Sequence, residues 1–254
     1  MCLPLPRRMA LLGAGVLLAL PARAADDTAR LDAAFQVLAT GSPPELDRTS
    51  AMLQPWLAGP RPGLWIAAAV TGGASPGVLR AALLEEGDSR RALASGEAGI
   101  VMDQPPWSIS LDRAPGRWPQ PGGPIAGIRL VNRYTSTLRS SDSTAIHLFR
   151  WQGAVLQPVF AGLVRRSAYE RDGSDGCIER RGYGQLEHGG RQAPDTVRKA
   201  CDAGNETSAP WAISTGPGRS GGVPDLVVRD GRNRVVSRHR WTGMTYAPPR
   251  FDPQ

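Results

Sequence analysis

Hydrophobic positions follow three successive patterns along this 254-residue chain. From Met9 to Leu20 they form an unbroken run, preceded by Arg7 and Arg8 and followed by Ala22-Arg23-Ala24. A charged start, an apolar stretch of about a dozen residues and a small-x-small site are the three parts of an export signal. Spanning a membrane takes about 20 apolar residues, and no later stretch supplies them. The expectation is therefore a signal peptide over residues 1–24, a mature chain beginning near Ala25, and a soluble exported product without a membrane span, in a bacterial periplasm or the medium. Cys2 precedes the apolar run, so it leaves with the signal and implies no lipid anchor. The Arg7-Arg8 pair fits general secretion or twin-arginine export, with Pro6 favouring the former.

The period then becomes helical. Leu31, Ala34, Phe35 and Leu38 recur at i, i+3, i+4 and i+7 within Asp27 to Leu38, and Leu46, Met52, Leu53 and Trp56 lie within Pro44 to Leu57 after a Ser-Pro-Pro entry. Two short amphipathic helices are expected in residues 25–60, joined at Gly41-Ser42-Pro43.

From Gly63 onward the pattern reads strand, turn, strand. Leu64 to Val70 and Val78 to Leu84 flank a Gly-rich turn as a hairpin, and Trp107 to Leu111 alternates. Ile125 to Tyr134, Ala145 to Trp151 and Val155 to Phe160 follow as antiparallel strands, with Thr135 to Ser143 expected as an exposed loop. Four prolines and three glycines between Ala114 and Pro124 mark the best internal boundary or loop, since such a segment joins neither ladder nor helix.

One internal echo spans a long range. Arg150-Trp151-Gln152-Gly153, followed by Pro158 and Phe160, returns as Arg240-Trp241-Thr242-Gly243, followed by Pro248 and Phe251. A Trp closing one strand and an x-Gly turn of positive φ predict two hairpins, with the tryptophans packed across them and Arg150 and Arg240 alongside, in the hairpin core or facing a ligand. Coincidence of common turn chemistry is the competing account. Pro224-Asp225-Leu226-Val227-Val228-Arg229-Asp230-Gly231 resembles one unit of the FG-GAP type of β-propeller repeat. The preceding Gly218 to Val223 holds no carboxylate, so that family's calcium loop is not implied. The fold expected for residues 61–254 is β-rich. The whole is α+β, mostly antiparallel β with two short N-terminal helices, with a β-propeller-like or β-sandwich repeat fold as the alternative.

Composition narrows the function classes. Processing removes Arg7, Arg8 and Arg23 and no acid, so the net charge of +7 becomes +4. Lys199 is the single lysine, and the arginines are interspersed with acids rather than clustered, which argues against a nucleic-acid reader. Coding bias explains the arginines, or else they form a surface for anionic glycans, phosphates or carboxylates, which guanidinium groups bind bidentately. Cys177 and Cys201 survive processing, and an even pair in an oxidising compartment reads as a disulfide closing an insertion around residues 171–210. Its loop would contribute on the order of 3 kcal/mol. His188 between them lacks the close ligand pairs of a zinc site, and Asp172-Gly173-Ser174-Asp175-Gly176 falls short of a calcium loop, so neither metal nor cofactor is expected.

Catalytic motifs are sparse. Gly218-Arg219-Ser220-Gly221-Gly222 matches the G-x-S-x-G string of a nucleophile elbow, with Asp230 and His239 downstream, but no helix follows to present Ser220. His147, His188 and His239 show no ligand spacing, and alternation sends Glu85 and Glu86 to opposite faces. The favoured function is a non-enzymatic binding or interaction module of the cell envelope whose partner is an unidentified, anionic envelope component. The alternative is a hydrolase of an envelope polymer or ester using Ser220 or a carboxylate with His239.

Protein taken from the exported fraction should have the mass of a chain starting near Ala25 and carry no free thiol. Intact-mass measurement before and after reduction and alkylation checks both; two alkylatable thiols without reduction would refute the disulfide.

Overall fold

The computed structural model describes residues 20–40, 46–57, 59–71, 77–86, 88–102, 106–112, 118, 123–136, 139–170 and 205–253. Cys177, Cys201, His188, the Asp172 to Gly176 segment and the apolar run before Leu20 lie outside them, as does most of Ala114 to Pro124. Among the described residues there is one helix, α1 (Leu20–Ala39), and a mixed, mostly antiparallel set of thirteen strands.

The strands fall into three groups that hydrogen-bond into one continuous network. β1 (Leu46–Pro55), β2 (Leu64–Thr71), β3 (Val78–Glu85) and β4 (Asp88–Gly99) form an antiparallel meander. β5 (Ser108–Leu111), β6 (Ile125–Thr135), β7 (Arg139–Gln152) and β8 (Val155–Glu170) form a second. β9 (Asn205–Ser220), β10 (Val223–Asp230) and β11 (Val235–Trp241) continue from β8, with the short β12 (Tyr246–Ala247) and β13 (Arg250–Phe251) completing the described chain. This continuity differs from the separate radial blades of a propeller. The Pro/Gly segment between Ala114 and Pro124 connects β5 to β6, which are direct ladder partners.

Three hydrophobic clusters lie between these groups, and side-chain alternation along the strands assigns each its face. Leu64, Ile66, Ala68 and Val70 of β2 meet Ile128 and Leu130 of β6 and Phe149 of β7 in the largest cluster. The other face of the first meander presents Ala67, Ala69 and Ala82 to Ala34 and Leu38 of α1. On the far side of β7 and β8, Ile146, Leu148 and Phe160 pack against Ile213, Leu226, Val228 and Trp241. Small alanines under α1 let the helix lie close to the sheet, and their burial removes apolar surface at about 25 cal/mol per Å².

The first helix expected from Asp27 to Leu38 is present, within the longer α1. The second is not: Pro44 to Leu57 contains β1. The meander is covered on both faces, so Met52 enters the largest cluster while Leu53 packs toward α1. Adjacent apolar residues with separate destinations imitate one stripe of a helix. Within Thr135 to Ser143, expected as a loop, Thr135 and Arg139 to Ser143 are strand, since the β6–β7 ladder continues to Thr135↔Ser140 and Arg133 pairs with Asp142 at 3.3 Å. Ser and Thr fit exposed strand ends as readily as loops.

β4 touches β8 at a single parallel bridge, Ser95↔Val155, with the Ser95 amide donating to the Ala154 carbonyl at 3.2 Å. A Cβ on Gly96 would lie 1.8 Å from the Leu156 carbonyl oxygen, so only glycine permits this approach. Gly96→Ala should therefore cost about 1–3 kcal/mol by forcing backbone apart. An unchanged melting temperature would show that β4 and β8 do not meet this closely.

Candidate functional site

The echoed residues meet across the two copies rather than occupying equivalent places. Arg150, at the end of β7, is buried, and its guanidinium carbon lies 5.0 Å from the ring centre of Trp241 on β11. Nη2 of Arg150 donates to the side-chain oxygens of Gln152, at 2.9 Å, and Gln157, at 2.5 Å. Trp241 in turn meets Tyr246 edge-on at 5.2 Å. Stacking on an aromatic face and bonding to amide oxygens is how a guanidinium is accommodated in a dry site. Trp151 turns to the opposite face, is only half-buried, and donates its indole N–H to the Gly153 carbonyl at 2.7 Å. Arg240 is exposed. Gly153 and Gly243 have φ of 56° and 96°, the conformation expected for both, but the loops differ. Gln152 pairs with Val155 across two residues, whereas Trp241 pairs with Tyr246 across four.

Ser220 and His239 are not brought together. Ser220 ends β9 at a two-residue turn in which Gly221 and Gly222 both have positive φ, a strand-to-strand reversal instead of a nucleophile elbow. Its hydroxyl donates to Oδ1 of the buried Asp225 at 2.7 Å. His239 lies opposite Leu226 in the core, with Nδ1 2.6 Å from the Pro248 carbonyl and its ring 4.8 Å from Phe160. Asp225 sits near Tyr246, whose hydroxyl is pushed above its usual range by burial and by that carboxylate.

A groove that the sequence reading missed lies between the last turn of α1 and strands β3 and β4, with a volume of about 410 Å³. Val37, Leu38, Ala82 and Ala92 supply its apolar wall, and Arg80 and Arg91 its cations. Arg80 faces α1, donating from Nη1 to the Leu38 carbonyl at 3.1 Å and pairing through Nη2 with Glu97 at 2.9 Å. A cation there suits the negative end of the helix. Its Nε–H is buried and has no hydrogen-bond partner among the described residues, a costly omission for a charged group. Arg91 is exposed and unpaired among the described residues. The one available signal was Arg80 itself, a lone charge inside the apolar run Val78 to Leu84.

No known protein family, curated protein or solved structure matches this chain. The chemistry of its sites therefore rests on geometry. Among the described residues no group of three or more His, Cys, Asp or Glu side chains is arranged to hold a metal ion, and no helix is long and apolar enough to cross a membrane.

His147 and His239 occupy different clusters. His147 is on β7 between Ile146 and Leu148, and alternation sends its ring to the opposite face from theirs, away from Phe160 and His239. It is buried, and neither ring nitrogen has a hydrogen-bond partner among the described residues. Burial, aided by the Arg250 guanidinium, drives its pKa from 6.5 down to about 3. Burial also lowers that of His239, with the Pro248 carbonyl opposing.

Both histidines are thus neutral when folded and titrate normally when unfolded. The stability that neutrality contributes is complete above pH 6.5 and is lost as pH falls from 6.5 toward about 3, where folded His147 also protonates. Each group sets a limiting slope of about 1.4 kcal/mol per pH unit. His147→Leu should flatten the decline in urea midpoint between pH 7 and 5.5; an unaltered decline would show that His147 is not the titrating group.

Proposed function

We propose that the protein is an exported, non-enzymatic binding module of the cell envelope that takes a small anionic ligand, a carboxylate foremost, in the groove between α1 and β3–β4. The observation that carries this reading is Arg80, which lines the groove and whose buried Nε–H has no acceptor among the described residues. A carboxylate supplies two acceptor oxygens in the plane that a guanidinium edge presents. Arg91 adds a second cation at the same opening, unpaired among the described residues, and the apolar wall suits a short hydrocarbon portion. With Glu97 engaged by Arg80, the groove keeps a net positive charge. The separation of Ser220 from His239 favours binding over hydrolysis. The stacking of the first meander on the second supports the sandwich alternative for the fold over the propeller one.

Processing near Ala25 would shorten α1 at its start while leaving Ala34, Val37 and Leu38, which reach the core or the groove. The mature chain would thus keep the site.

A panel of mono- and dicarboxylates, sugar acids and inorganic phosphate, tested by ligand-observed NMR and isothermal titration, addresses the proposal. At least one carboxylate should bind saturably, and Arg91→Ala should weaken it about tenfold, the loss of roughly 1.4 kcal/mol. Arg80→Lys should abolish binding while Arg91→Ala leaves the melting temperature unchanged, which separates ligand loss from unfolding. Failure of every anion to bind, or full affinity in both variants, would refute the groove.

A further inference from the structure

The two arginines of the groove beside α1 are set well apart along it. Across β3 and β4, Arg80 is the ladder partner of Glu97, Ala82 of Ser95, and Leu84 of Ala92, the residue after Arg91. Four residues of extended strand separate Arg80 from Leu84, about 13 Å at the rise of a β-strand. The register shifts on both sides of Leu84, and such irregularities re-aim the side chains beside them; Arg91 and Ala92 both line the groove there.

Arg80 is not free to close that distance. Its Nη1 is tied to the Leu38 carbonyl at 3.1 Å and its Nη2 to Glu97 at 2.9 Å, which leaves the buried Nε–H as the donor without an acceptor among the described residues. Arg91 is exposed and unpaired among the described residues. Between the two ends, Ala82, Ala92, Val37 and Leu38 give the lining an apolar stretch, with Ser95 opposite Ala82. A single carboxylate or phosphate therefore meets one cation and leaves the other open. A chain of phosphates would lay charge along the apolar stretch, which is costly.

We propose, resting on the reading that this groove is the ligand site, that its ligand is a linear α,ω-dicarboxylate of medium chain length. One carboxylate accepts from the Nε–H of Arg80, the other is held by Arg91, and the methylenes between them lie along the apolar stretch. The separation of the two guanidinium groups gauges length. A diacid that is too short engages only one of them, and one that is too long must buckle away from the lining to seat both ends. Up to that limit, each methylene brought against the apolar stretch should tighten binding by as much as about fourfold.

Isothermal titration of the full chain with the diacids from succinate to sebacate, and with hexanoate and octanoate, tests this. Affinity should pass through a maximum between glutarate and sebacate, and suberate should bind at least tenfold tighter than octanoate. Arg91→Ala should bring suberate down to the level of octanoate while leaving octanoate unchanged. Ser95 is exposed and two residues nearer to Glu97 than any site beyond Ala94, so R91A/S95R moves the second cation inward and should shift the maximum to a shorter diacid. Equal binding of octanoate and suberate, affinity without a maximum in length, or full suberate affinity in Arg91→Ala would overturn the dicarboxylate while leaving the groove as a carboxylate site. Tripolyphosphate binding more tightly than every diacid would overturn it as well. Binding of no carboxylate of either kind would remove the proposal and the groove together.

Discussion

The second edge of β8 is the constraint on which the arrangement depends. Buried backbone amides and carbonyls need partners along their whole length, and β7 pairs with one edge of this sixteen-residue strand from Val155 to Glu170, with irregularities at Val159 and Val164. The other edge is divided among three partners that arrive from distant parts of the chain. β4 touches it at Val155, β13 at Ala161 and Gly162, and β9 from Arg165 to Glu170. Each lasts only a few residues, β4 coming from the first group of strands and β9 and β13 from the third. Dividing the edge in this way is what places α1 and its meander on one side of β8 and the Arg150–Trp241 cluster on the other.

Much of the β structure was legible in the sequence where one rule governed a segment. β2 and β3 are apolar runs bounded by glycine, β6 is an apolar run entered from Gly122-Gly123-Pro124, and their limits agree with the expected strands to within a residue or two. The rule failed where two burial environments meet. β1 lies between α1 and the largest cluster, so its apolar residues serve both faces and mimic helical spacing. β4 escaped notice because Arg91, Ser95, Gly96 and Glu97 carry almost no hydrophobic signal; close backbone approach and the pairing with Arg80 hold it in place.

The candidate sites were legible in part. The Arg-Trp echo located two residues that do meet, but local pattern contains nothing about which copy each one reaches. Arg150 and Trp241 come together because β7 and β11 lie on either side of one cluster, a consequence of the continuous β9 exchanging β8 for β10 as its partner between Pro210 and Trp211. Ser220 shows the converse. Its motif is a complete string, yet the two glycines that complete it are those a tight hairpin requires, so the local backbone gives the string another meaning. The groove needed tertiary information outright, since α1 and β3 are separated by some forty residues where Arg80 reaches Leu38.

The pairing of β13 with β8 has a consequence for the order in which the structure can be completed. Arg250 and Phe251 lie beside Ala161 and Gly162, and the Ala161 amide donates to the Pro249 carbonyl. A chain emerging from its amino end has β7 and β8 available long before the segment that fills this gap. Until residue 251 is delivered, the middle of β8 is an unpaired edge next to the buried Phe160, and closure waits on a contact of long sequence separation. β13 acts as a latch: the hub is built early, but it is sealed only when Arg250 and Phe251 reach Ala161 and Gly162.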